Sequence, residues 1–200
     1  MNNLVDNFPI VSDQMGKEEL RVIVRELQKV LGVRGDVVEF GCYVGTTSLF
    51  LQRTLTDVDK KLHVYDSFAG LPQKTGQDQS PSGEQFKQGE LAATKAQLIT
   101  NFKRAHLPLP VIHKGWFADV APQDLPDTIC FAYLDGDFYD SILDSLRLVW
   151  PKLQPGATVI VDDYRHEALP GTQKAVDHWL ATHKARLQIE ASLAILKPTI

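Results

Sequence analysis

Two hundred residues suit one ordinary domain with a substantial core. Hydrophobic residues make up 44% and charged residues 23%, and 21 basic against 25 acidic residues leave a formal net charge of -4. No lysine or arginine run breaks this balance, which excludes the electrostatic footprint of a nucleic-acid binder, and no apolar run approaches the ~20 residues that span a bilayer.

In chain order, Met1-Asn2-Asn3-Leu4-Val5-Asp6 lacks the basic start and apolar stretch of a signal peptide, so a cytoplasmic location is expected. Cys42 and Cys130 lie far apart and form no metal or redox spacing, which agrees with a reducing compartment. Residues 1–16 show no periodicity and read as an extended or loosely packed lead-in. Lys17 to Leu31 reads as an amphipathic helix, with Leu20, Ile23, Val24, Leu27, Val30 and Leu31 at helical spacing and Gly32 at its stop. Val37–Phe40 is a strand, Thr46–Leu55 a helix, and Leu62–Tyr65 a strand that ends on Asp66. Residues 67–88 are rich in Gly, Pro, Ser and Gln and read as a lid or substrate loop.

Gly89–Arg104 is helical in pattern, Leu109–His113 a short strand, and Trp116–Val120 a helical turn. Ile129–Leu134 is an all-apolar strand, Ser141–Trp150 a helix, Pro155-Gly156 a turn, Thr158–Val161 a strand and Gly171–His183 a helix. Arg186–Glu190 and Ser192–Leu196 close the chain as an antiparallel hairpin. This alternation predicts one Rossmann-like, doubly wound α/β domain over 1–200, with residues 1–33 as lead-in and first helix. Its seven-stranded sheet is mostly parallel, with the hairpin at one edge.

Three groups of residues carry chemistry. In Val38-Glu39-Phe40-Gly41-Cys42-Tyr43-Val44-Gly45-Thr46-Thr47 a strand enters a glycine-flanked turn and then a helix. Glycines let a backbone approach a ligand, and the helix start at Gly45, Thr46 and Thr47 offers free N–H groups. The spacing lacks the third glycine of the dinucleotide fingerprint. Asp66, at the end of the next strand, suits either the two ribose hydroxyls of a nucleoside or a turn cap. Asp135, Asp137, Asp162 and Asp163 end two neighbouring apolar strands. Two like charges ~4 Å apart repel by about 4 kcal/mol at an effective dielectric near 20, so convergence calls for a cation or for protonation. All-oxygen ligands favour Mg²⁺ or Ca²⁺ over zinc. Trp116 and Phe117 either stack on a purine or pack in the core, and His166 is close enough to the second acidic pair to serve as a proton acceptor. Cys42 reads as a small filler of the turn.

Leu134-Asp135-Gly136-Asp137-Phe138-Tyr139-Asp140-Ser141, Pro155-Gly156 and Val159-Ile160-Val161-Asp162-Asp163-Tyr164 resemble the macrocin O-methyltransferase family of sugar methyltransferases, within the class I S-adenosylmethionine-dependent methyltransferases. Val38-Glu39-Phe40-Gly41, Asp66-Ser67-Phe68-Ala69-Gly70-Leu71-Pro72 and Gly115-Trp116-Phe117 extend the likeness over roughly residues 34 to 180. The resemblance implies O-methylation of a sugar or other vicinal hydroxyl on a small-molecule acceptor such as a glycoside, with S-adenosylmethionine and a divalent metal, Mg²⁺, as cofactors. It implies Asp135, Asp162 and Asp163 as metal ligands and Asp137 as general base. Glu39, Gly41, Asp66, Ser67, Gly115 and Trp116 fall on the cofactor site. A homo-oligomer is compatible with it; a nucleic-acid or membrane partner is not expected. The alternatives are an NAD-dependent oxidoreductase or a non-catalytic nucleotide- or sugar-binding module on the same sheet.

Overall fold

The computed structural model describes residues 4–83 and 85–199. A short helix α1 (Leu4–Asn7) precedes α2 (Lys17–Lys29), and then strands and helices alternate: β1 (Asp36–Phe40), α3 (Thr46–Thr54), β2 (Leu62–Asp66), α4 (Lys95–Arg104), β3 (Val111–Lys114), β4 (Ile129–Leu134), α5 (Tyr139–Val149), β5 (Leu153–Val161), α6 (Pro170–Leu180), β6 (Ala185–Glu190) and β7 (Leu193–Pro198).

The seven strands form one sheet in the order β3-β2-β1-β4-β5-β7-β6. The first five are parallel, and β7 pairs antiparallel with both β5 and β6. The expected fold class and the reversed C-terminal hairpin are therefore present. The chain moves outward from β1 in one direction to β3 and in the other from β4, so the strand order reverses between β1 and β4. Ligands of open α/β sheets lie beyond the strand ends at such a reversal.

Side chains alternate across the sheet and feed two cores. On one face Val37, Val64, Phe131, Tyr133 and Ile160 pack with α2, α3 and α4 through Leu20, Ile23, Leu27, Phe50, Leu98 and Phe102. On the other, Val38, Phe40, Ala132, Leu134, Val159 and Val161 meet α5 and α6 through Ile142, Leu146, Ala175 and Val176. The central strand β4 is buried at every residue, which is why it reads as a continuous apolar run. Within α2, Glu26 is buried and paired with Lys29 at 2.6 Å and Lys197 at 3.0 Å, a charge that the apolar stripe conceals in the sequence.

Several boundaries differ from the expectation. Helix α4 begins at Lys95, not Gly89, because Thr94 and Gln97 form a reciprocal capping box at its start. Strand β5 begins at Leu153, so Pro155 and Gly156 lie in its exposed first half instead of ending a turn before it. The lead-in is not loose throughout: Val5 and Met15 are buried, and the Ser12 hydroxyl lies 2.8 Å from that of Thr46 at the start of α3.

Candidate active site

Beyond the ends of β1, β2, β4 and β5 lies a cavity of about 480 Å³. The strand ends build its floor. Gly41 follows β1 at φ +85°, and a Cβ there would sit 1.9 Å from the Asp135 carbonyl oxygen, so only glycine lets the β1 turn lie against the end of β4. Gly45, at φ +94°, opens α3 with the same freedom, and a Cβ there would sit 2.4 Å from Leu98 Cδ1.

Asp66 ends β2 beside that turn. Its Oδ2 accepts the backbone N–H groups of Cys42 at 2.8 Å and Tyr43 at 3.0 Å, and its Oδ1 accepts that of Phe68 at 2.7 Å. The carboxylate thus ties the β1 and β2 turns together and still lines the cavity. Ser67 lies beside it, with its hydroxyl accepting the N–H of Ala69 at 3.1 Å. The Gly115 N–H bonds the Asp66 carbonyl at 3.0 Å, closing the end of β3 onto β2. Trp116 lines the cavity with 41% of its surface exposed, an indole face open to stacking, whereas Phe117 packs edge-on against Phe40 at 5.1 Å. Glu39, Gly45, Thr46, Thr47 and Gly115 support this wall without lining the cavity. Glu39 is fully buried beneath it. Its Oε2 accepts the Ser48 hydroxyl at 2.5 Å, its Oε1 has no hydrogen-bond partner among the described residues, and burial pushes its carboxyl up to about 8. Cys42 is buried and its thiol is pushed up by burial and by Asp66, the opposite of an activated nucleophile.

The acids of the opposite wall come from β4 and β5. Carboxylate oxygens of Asp135, Asp137 and Asp163 lie within 4.8 Å of one another. Extended backbone does not bring them there. Asp137 sits at φ +59° and Asp163 at φ +54°, two left-handed turns that fold the side chains back toward Asp135. Asp162 lines the same wall but is held from behind. Its Oδ2 accepts the Tyr133 hydroxyl at 2.5 Å, and its Oδ1 accepts the Asp163 N–H at 2.8 Å and the Ser192 hydroxyl at 3.5 Å. Burial first, and mutual repulsion second, raises these carboxyls: Asp135 well above its usual range, Asp137 to about 7 and Asp163 to about 9. Burial raises Asp162 too, opposed by the Tyr133 hydrogen bond.

The remaining walls come from the N-terminal lead-in, which carries no sequence signal, and from the segment read as a lid or substrate loop. Asp13, Gln14, Met15, Gly16 and Glu19 approach from the N-terminal side. Leu71, Pro72 and Phe86, from the Gly/Pro/Ser-rich segment, and Leu91 just after it cover another side, and Phe86 meets His166 edge-on at 5.7 Å. That segment is anchored: Asp78 is buried, and its Oδ1 accepts the Tyr139 N–H at the start of α5 at 2.7 Å. Seven carboxylates therefore line the cavity (Asp13, Glu19, Asp66, Asp135, Asp137, Asp162 and Asp163), and no lysine or arginine does among the described residues. The close group of three, all oxygen donors and uncompensated by a basic side chain, fits a hard divalent cation.

A parallel sheet reversed between β1 and β4, an antiparallel C-terminal hairpin and a glycine turn facing an acid at the end of β2 define a class I methyltransferase architecture. Comparison with known proteins narrows the class. The sequence profile of macrocin O-methyltransferase (TylF) matches residues 5–193. The 8-demethyl-8-(2,3-dimethoxy-alpha-L-rhamnosyl)-tetracenomycin-C 4'-O-methyltransferase of Streptomyces olivaceus is 35% identical over 146 residues, 68% of this chain and 56% of that protein. The mycinamicin III 3''-O-methyltransferase of Micromonospora griseorubida is 30% identical over 191 residues, 89% of this chain and 74% of that protein. The solved structure of the O-methyltransferase NovP superposes with a TM-score of 0.78 at 28% identity, over 99% of this chain and 87% of that one. The chain belongs to the macrocin O-methyltransferase family of S-adenosylmethionine-dependent enzymes, which answers the dehydrogenase alternative raised by the glycine turn. It spans little more than half the length of the Streptomyces olivaceus relative.

Proposed function

We propose that this protein transfers a methyl group from S-adenosylmethionine to a sugar hydroxyl of a glycosylated metabolite, assisted by a divalent cation. The observation that carries this reading is a single crevice in which the Gly41 turn and Asp66 face three clustered carboxylates. Of the two relatives above, one is named for 4'-O-methylation of a rhamnosyl-bearing tetracenomycin and the other for 3''-O-methylation of mycinamicin III. When bound, S-adenosylmethionine supplies the sulfonium methyl, and a divalent cation, Mg²⁺ by the donor set, supplies Lewis acidity toward the acceptor hydroxyl.

The chain's own residues do the rest. Asp66, oriented by three backbone N–H groups, has lone pairs left for ribose hydroxyls, with Ser67 beside it and the Trp116 face for the base. Gly41, Gly45 and the buried Glu39 shape the turn and its backing, and the start of α3 at Thr46 and Thr47 and the Gly115 backbone complete that wall. Asp135 and Asp163, from the close group of three, would hold the cation together with Asp162 beside them on the wall, leaving Asp137, the third of that group, to the proton. Asp137 takes the acceptor proton on its carboxylate, and a carboxyl near 7 is matched to that task. Leu71, Pro72, Phe86 and Leu91 keep water from the crevice. A lining with seven acidic side chains and no lysine or arginine among the described residues offers a phosphate no side-chain cation, which favours a neutral or cationic glycoside over a sugar nucleotide. Two buried, unpaired thiols suit work in the cytoplasm.

The test offers S-adenosylmethionine with a panel of neutral glycosides, and with the same sugars as nucleoside diphosphates. The proposal predicts a product one methyl heavier from the glycosides together with S-adenosylhomocysteine. Transfer confined to the sugar nucleotides contradicts the acceptor class, and no transfer with no binding of S-adenosylhomocysteine contradicts the whole reading.

A further inference from the structure

The acidic wall has a buried support that neither its sequence pattern nor the family match assigns. Tyr133 lies in β4, two residues before Asp135, and is completely buried among the apolar residues beneath α2–α4. Only its hydroxyl reaches polar partners. It donates to Asp162 Oδ2 at 2.5 Å and lies 3.3 Å from Asp135 Oδ2, so one phenol bridges carboxylates from adjacent parallel strands. The phenol comes from inside the core, and a buried acceptor left unpaired costs about 1–3 kcal/mol. The other oxygen of Asp162 is fixed independently by the Asp163 N–H and the Ser192 hydroxyl. Asp162 therefore cannot rotate, and Asp135 is tethered to it from below.

We infer that Tyr133 is a positioning residue for the cation site, its phenol setting the separation and rotation of Asp135 and Asp162 while touching neither cofactor nor acceptor. This rests on the reading of the acidic wall as a divalent-cation site. Partners that orient metal ligands are typically worth 10–100-fold in metal affinity.

The experiment titrates Mn²⁺, and separately S-adenosylhomocysteine, into wild type and Tyr133→Phe by calorimetry, and measures the Mg²⁺ dependence of methyl transfer. The inference predicts unchanged S-adenosylhomocysteine affinity, Mn²⁺ binding weakened about 10–100-fold, and a half-saturating Mg²⁺ concentration raised by a similar factor, with turnover largely recovered at saturating Mg²⁺. Wild-type Mn²⁺ affinity in Tyr133→Phe overturns the inference and leaves the cation site standing. No Mn²⁺ binding by the wild type overturns the cation site and the inference together. A second measurement does not depend on Tyr133→Phe folding: fluorotyrosine placed at position 133 keeps ring and hydroxyl, and its fluorine resonance must shift on Mg²⁺ addition. An unmoved resonance contradicts the bridge.

Discussion

Asp137 holds a left-handed backbone conformation, at φ +59°, that aspartate tolerates better than most side chains. That turn, not the two-residue spacing from Asp135, brings its carboxylate into the group of three. Asp137→Asn keeps the shape and the backbone preference while removing the base. The expected result is a fall in kcat of about a hundredfold or more, with Mn²⁺ affinity within about threefold of wild type. Loss of Mn²⁺ binding instead would make Asp137 a ligand. Glu39 offers a separate readout. Its carboxyl titrates at about 8 in the fold against an ordinary 4.5, so the folded state holds a proton that the unfolded chain releases. That contribution is fully present below about pH 4.5 and is lost as pH rises through about 8. Glu39→Gln should flatten the fall in stability between about pH 5 and 8, as read from denaturant midpoints across pH; an unchanged slope would mean that Glu39 is ionised in the fold. At this scale the sequence makes the acids conspicuous because each pair ends an apolar run. It hides Tyr133, which reads as one more strand residue, and it cannot show that Tyr133 holds Asp162 from behind or that Asp163 joins it on the same wall, since adjacent residues reach one site only through the left-handed turn at Asp163.

Elements show the same division. Strand β4 and its neighbours are legible because full burial on two faces demands continuous apolar residues. The start of α4 is not, because Leu91 and Ala92 continue a helical pattern that the Thr94 cap overrides. The Gly/Pro/Ser-rich segment shows its length in composition but not its anchor. Asp78 accepts the first N–H of α5 with one oxygen and the Thr75 N–H and hydroxyl, each at 2.8 Å, with the other. Gly171 in α6 leaves room for it, since a Cβ there would lie 1.9 Å from Asp78 Oδ1. Asp78→Ala removes a helix cap and the pin of this wall at once. It should raise the acceptor KM about tenfold, leave S-adenosylhomocysteine affinity within about threefold and speed proteolytic cleavage between residues 72 and 90. Unchanged KM and cleavage would show that the segment is held by its apolar contacts alone. The N-terminal wall at residues 13–16 and Glu19 was illegible for a related reason: its place depends on burial of Met15 in the core and on the contact of Ser12 with Thr46, a residue far from it in sequence.

For the whole molecule the governing fact is the number of acidic side chains that converge on one crevice. Asp137 at about 7 and Asp163 at about 9 bind protons in the fold that they would release unfolded, so the cation-free protein loses stability as pH rises through those values. A divalent cation competes with those protons. Mg²⁺ at about a hundred times its dissociation constant should therefore stabilise the fold by about 2.7 kcal/mol near pH 8, a rise in Tm of roughly 5–10 °C, and by far less near pH 5.5. An equal rise at both values would place the ion elsewhere. Among the described residues no helix is long and apolar enough to cross a membrane. The central claim is that methyl transfer to a glycoside runs through a cation held by this wall. Its most direct measurement is turnover with S-adenosylmethionine and a neutral glycoside in excess chelator, followed by Mg²⁺ add-back, with S-adenosylhomocysteine binding followed by calorimetry in the same samples. The account predicts that chelation abolishes turnover, that Mg²⁺ restores it and that S-adenosylhomocysteine binding persists throughout; full turnover in excess chelator would contradict it.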